Sequence, residues 1–125
     1  MRIFLFALVL LSQLAVAFAN VSIMPVRDIK PGMQGIGKTV IEGDTIEDFD
    51  VEVIGVNGRE ITGQSILVRL SGDLIEKTGG VAQGMSGSPV YIDGRLVGAV
   101  AFGKTFNDSH YCFLTPIGDM LRLLD

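Results

Sequence analysis

The sequence predicts an all-β protein, a single antiparallel barrel-like domain of about six short strands closed by a short C-terminal helix. Three observations carry this. Short β-branched runs recur along the chain, one with strict period-two alternation, Phe49-Asp50-Val51-Glu52-Val53. Glycine is abundant, at 16 residues, and punctuates those runs. Asp93-Gly94 separates two apolar runs by the pair a tight hairpin prefers, because both central positions of that turn need φ > 0. A length of 125 residues holds one domain at most.

Residues 1–19 stand apart. Arg2 precedes an apolar run from Ile3 to Leu11 and a second from Leu14 to Ala19, with small residues spaced for cleavage at Ala15-Val16-Ala17 and Ala17-Phe18-Ala19. This is the pattern of a secretory signal peptide cut after Ala19, and the run is short against the ~20 apolar residues of a bilayer span. The expectation is an exported domain, secreted or periplasmic, over residues 20–125, anchored to the membrane only if the leader stays uncut.

The remaining elements follow in order. Pro25, Pro31, Gly32, Gly35 and Gly37 give the opening segment the character of turns. Thr39 to Glu42 and Phe49 to Val56 read as strands; Asn57-Gly58 is a turn signal, and a third strand runs from Ser65 to Leu70. Asp73 to Lys77 is one helical turn or a loop. The hairpin of Pro89 to Ile92 and Leu96 to Phe102 follows a glycine-rich stretch, and Cys112 to Thr115 is the last strand. Pro116 suits the first turn of a closing helix with Ile117, Met120, Leu121 and Leu124 on one face.

Composition excludes several functions. One Cys and one His make neither a disulfide framework nor a four-ligand zinc site, and no cofactor or metal is expected. A net charge of −4 without a Lys/Arg run argues against nucleic acid. Cys112, inside an apolar run, is expected to be buried.

Three motifs carry candidate chemistry. Gly32 to Thr39 fits G-x-x-x-x-G-K-[ST], but a phosphate loop needs a strand before it and a helix after it; here a Pro-bearing segment precedes and a β-branched strand follows. Its glycines read as a tight opening turn. Gly84-Met85-Ser86-Gly87-Ser88 approaches the nucleophile elbow G-x-S-x-G but lacks the last glycine and the following helix. The third match is Gly84-Met85-Ser86-Gly87-Ser88-Pro89 leading into strand, turn and strand, which resembles the G-D-S-G-G-P segment of chymotrypsin-like serine proteases. In that geometry the N–H groups of Gly84 and Ser86 form an oxyanion hole and Ser86 Oγ attacks beside it.

At greater length, Thr78-Gly79-Gly80-Val81-Ala82-Gln83 together with that segment resembles the SpoIVB-type peptidase family of bacterial serine endopeptidases. Supporting stretches are Met24 to Gly32, Phe49 to Ile54 and Ile66 to Leu70. The resemblance implies a trypsin-like barrel, peptide-bond hydrolysis outside the cytosol and Ser86 as nucleophile. It also implies a peptide or protein substrate, with Gly80, Phe102 and Gly103 around the substrate pocket. An uncharged floor at Gly80 favours a small or apolar residue before the cleaved bond.

Family enzymes carry their base in a Gly-His segment that this chain lacks. The sole His, His110, follows the nucleophile and is a weak candidate base. The position expected for the acid falls at Ser71, with Asp73 nearby as a candidate acid. A trypsin-like protease also needs two barrels, and residues 20–125 provide one. The chain therefore reads as the nucleophile-bearing half of a peptidase, its base brought by a complementing half or a longer parent frame. The alternative is a peptide-binding β domain that does not cleave.

Overall fold

Alternating burial builds the framework. In the computed structural model, which describes residues 22–40, 43–101 and 108–122, six strands appear: β1 (Gln34–Val40), β2 (Ile46–Arg59), β3 (Gly63–Ser71), β4 (Pro89–Ile92), β5 (Arg95–Ala101) and β6 (Tyr111–Pro116). They form a closed barrel in the order β1-β2-β3-β6-β5-β4, with each strand antiparallel to both neighbours. Phe49, Val51 and Val53 of β2, Ile66, Val68 and Leu70 of β3, Val90 and Ile92 of β4, and Cys112 and Leu114 of β6 point inward as one core. Each fully buried side chain of this size contributes roughly 1.5–3 kcal/mol. Two helices decorate the barrel, α1 (Asp73–Thr78) and α2 (Ile117–Arg122). The closed six-strand barrel with a short C-terminal helix is the architecture the sequence predicts.

Element boundaries differ in three places, each for a physical reason. β1 begins at Gln34, so Gly35 and Gly37 lie inside a strand rather than in an opening turn. They are small because neighbours press on them: a Cβ on Gly37 would land in the Phe49 ring, and one on Gly35 would meet the Tyr91 carbonyl. No helix follows Lys38-Thr39, which removes the phosphate-loop reading.

The second difference is at Asn57-Gly58. This pair does not turn the chain but continues β2, facing Ser65 and Gln64. The turn lies further on, over residues 60–62, where the Thr62 amide donates to the Arg59 carbonyl at 3.2 Å. Gly58 (φ 90°) and Gly63 (φ 101°) supply the left-handed backbone on either side of that turn.

Third, the helix begins at Ile117, with Pro116 closing β6, and buries none of its residues; Met120 and Leu121 are 37% and 45% exposed. Polar ties hold it instead. Asp119 accepts from the Gln64 amide at 2.9 Å, and Arg122 donates to the Glu60 carbonyl at 2.9 Å. Leu124 lies outside the described residues.

The Asp93-Gly94 hairpin forms as the sequence requires, with φ of 51° and 74°. The ambiguous Asp73 segment is helical. It buries Leu74 and Ile75 and ends at a left-handed Gly79 (φ 76°). Residues 1–19 and Phe102 are outside the described residues.

Candidate active site

The segment between α1 and β4 is fixed at both ends. At its root, the Thr78 hydroxyl donates to the Gly80 carbonyl at 2.7 Å, the Val81 amide to the Ser109 carbonyl at 2.7 Å, and the Ser109 hydroxyl to the Gly79 carbonyl at 3.0 Å. Gly80, at φ 120°, is buried, and a Cβ there would meet Ser109.

Towards β4 the chain makes a 3-10 turn, Gln83–Met85, in which the Met85 amide donates to the Ala82 carbonyl at 2.9 Å. Next, the Gly87 amide donates to the Val100 carbonyl at 2.7 Å, and the Ser88 carbonyl accepts from Val100 at 2.9 Å. The Ser88 amide closes the turn on the Met85 carbonyl at 3.0 Å.

This lacing decides which side chains face inward. Met85 is fully buried in the core and Ser88 is 7% exposed, while Ser86 between them is exposed. Met85 is therefore the anchor and Ser86 the presented group. The left-handed backbone that only glycine takes comfortably sits at Gly87 (φ 87°); Gly84 does not adopt it.

Ser86 and Gly84 open onto a groove of about 490 Å³ walled by Lys38, Val40, Ile46 and Pro89. A second groove of about 660 Å³, lined by Ile36, Asp50 and Asp93, meets it at Lys38 and Tyr91. Sequence reasoning missed this wall. Its signal was the period-two series Ile36, Lys38 and Val40, whose alternate positions Gly35, Gly37 and Thr39 face inward. Lys38 Nζ lies 3.4 Å from Asp48 Oδ1 across the β1–β2 pair, both side chains about half exposed.

The other candidate residues lie elsewhere. Asp73 is the exposed first residue of α1 and does not line the Ser86 groove. Gly80 does not line it either, being packed under Ser109. Phe102 and Gly103 are outside the described residues. His110 is bound on both sides: Nδ1 is 2.8 Å from Asp108 Oδ1 and Nε2 is 3.1 Å from Glu76 Oε1. The Asp108 and Glu76 hydrogen bonds hold the imidazole above its ordinary value, and the backbone and ring N–H groups of His110 hold Asp108 below its own. Burial pushes the Cys112 thiol up to about 12. Among the described residues, no group of three or more His, Cys, Asp or Glu side chains is arranged to hold a metal.

A closed antiparallel barrel in this sequence context is a serine-peptidase-type domain. The family model described as SpoIVB peptidase S55 matches residues 11–121, and the chain belongs to that family. Comparison with curated proteins found no match, and comparison with solved structures found none.

Proposed function

We propose that this chain is the nucleophile-bearing barrel of an exported serine endopeptidase, with Ser86 as nucleophile. One observation carries the reading: within a chain of this family, Ser86 stands exposed on a groove while its neighbours Met85 and Ser88 are drawn inside. The apolar wall at Val40 and Ile46 suits a peptide with apolar side chains.

In the reaction, Ser86 Oγ attacks the scissile carbonyl as its proton passes to a base. The amine then leaves with that proton, and water hydrolyses the acyl-serine. The N–H groups of Gly84 and Ser86 stabilise the tetrahedral oxyanion. In a 3-10 turn each N–H aims at the carbonyl three residues back. The oxyanion role requires the Gly84 and Ser86 N–H groups to turn toward one point, and Gly84, with open space where a Cβ would stand, is the residue at which this backbone can give.

The base comes from a complementing half. His110 does not serve, because a base needs a free lone pair near pH 7 and both of its ring nitrogens face carboxylates. Removing the base from such a site costs about 10⁶-fold in kcat, leaving roughly 10³–10⁴ over water from binding and oxyanion stabilisation.

The absence of a hydrogen bond to Ser86 from any titratable side chain among the described residues favours a second reading, a domain that binds peptides without cleaving them. Labelling by a fluorophosphonate separates the two, tested on the chain alone and with a polypeptide carrying the Gly-His half. Labelling that disappears in Ser86→Ala supports the peptidase. No labelling under either condition leaves the binding domain. Cleavage that strictly requires Arg or Lys before the scissile bond overturns the apolar specificity.

A further inference from the structure

We infer that the trio Glu76, His110 and Asp108 is a proton-dependent brace that positions the root of the Ser86 segment. The inference rests on the reading of Ser86 as nucleophile.

The argument starts from donor counting. Both ring nitrogens of His110 face carboxylate oxygens, Asp108 at 2.8 Å and Glu76 at 3.1 Å. Ionised carboxylates only accept, so both contacts require an N–H, and only imidazolium has two. Neutral imidazole keeps one donor. Asp108 has the shorter contact and also accepts the His110 amide at 2.9 Å. Deprotonation therefore releases Glu76, and with it the side-chain link to α1.

That link joins two parts of the chain that both hold the segment's root. Glu76 lies on α1, whose C-terminal end runs into Gly79 and Gly80, and the Gly80 amide caps it by donating to the Ile75 carbonyl at 2.9 Å. His110 follows Ser109, which receives the Val81 amide, donates to the Gly79 carbonyl and fills the space beside Gly80. The His110 carbonyl in turn accepts the Leu70 amide of β3 at 2.8 Å. The imidazolium thus closes a ring running from α1 through Gly79–Val81 to residues 108–110.

The charged groups around it are Glu76 from α1, Asp108 from its own turn, and Arg69 of β3, whose charge acts on Asp108. The imidazole side chain is 23% exposed, so the proton exchanges readily with solvent. Because the folded state holds the proton more tightly than the unfolded chain, the brace is fully engaged below the ordinary histidine value near 6.5. It is lost as pH rises through the raised value. His110 is a positioning residue, acting through the backbone rather than on the peptide.

The test is native-state hydrogen exchange on the full chain between pH 5 and 9, as protection factors corrected for intrinsic rates, with His110 titration followed by NMR. In the wild type, Val81 amide protection is expected to fall about two- to fivefold as His110 deprotonates, the range typical of exposed ion pairs. In His110→Gln and Glu76→Ala it is expected to be low and flat across that range, while core amides such as Val68 stay unchanged. Glu76→Ala removes only an exposed side chain and serves if His110→Gln fails to fold. Val81 protection that ignores the His110 titration, or that stays at the wild-type level and pH profile in Glu76→Ala, overturns the brace. Exchange needs no reactive serine, so its failure is distinct from a failure of fluorophosphonate labelling, which strikes the Ser86 reading alone.

Discussion

Replacing Gly37 by Ala tests the packing logic of the barrel most directly. Gly37 faces Phe49 across the β1–β2 pair, and an added Cβ would fall within the Phe49 ring. Phe49 is 2% exposed and sits in the core, so the ring has little room to retreat. Overpacking of this kind costs about 1–3 kcal/mol. The gain from a stiffer unfolded chain offsets about 0.4–1 kcal/mol of it, since Gly37 is outside the left-handed region. The expected net loss is about 1–2 kcal/mol, a fall in Tm of roughly 4–15 °C for a domain this small. Urea unfolding followed by circular dichroism measures it. The double variant Gly37→Ala/Phe49→Leu should be more stable than the sum of the single effects predicts, by about 1 kcal/mol, because the smaller side chain vacates the contested volume. Wild-type stability in Gly37→Ala, or strict additivity in the pair, would refute the reasoning.

Other expectations follow from the same structure. Ser86→Ala should abolish fluorophosphonate labelling and leave Tm within about 2–4 °C of wild type, since the side chain is exposed. Gly80→Ala should destabilise by about 2 kcal/mol or more, combining a φ of 120° with a clash on Ser109. Gly84→Ala, with open space around its Cβ, should fold normally yet label slowly. Cys112, buried with its thiol pushed up to about 12, should resist a thiol-reactive disulfide reagent in the native state and react fully in denaturant. The Asp108 and His110 shifts together set a pH window. Asp108, held low, adds stability above its usual 3.8 that is lost as pH falls; His110, held high, adds stability below 6.5 that is lost as pH rises. Thermal melts should therefore show the trio's contribution peaking between about pH 4 and 6.5, and vanishing in His110→Gln.

Much of this was legible from the residues alone. Phe49, Val51 and Val53 announce a strand because their spacing matches the pleat, and Asp93-Gly94 announces its hairpin because few other pairs accept that backbone. Ser86 stood out for its glycine neighbours and for the Pro89 strand after it. β1 was half hidden for a definite reason: two of its inward positions are glycines, so the apolar signal is missing where it was sought, and Ile36 and Val40 face outward. The apolar face expected of the last helix was overridden by polar ties from Asp119 and Arg122 that no periodicity reveals. Glu76 and His110 are 34 residues apart, and only the tertiary fold could bring them into contact. Whether the Gly84 and Ser86 amides can converge is likewise a matter of turn conformation, which composition does not encode.

The ring of strands, finally, has no first or last member. A sheet that ends offers its spare amides and carbonyls to any passing extended chain, which invites both recruitment and fibril growth. Here every strand has a neighbour on each side, but not along its whole length: β1 meets β4 only at Ile36 and Gly37, so the flank from Lys38 to Val40, beside the Ser86 groove, has no strand partner on that side among the described residues.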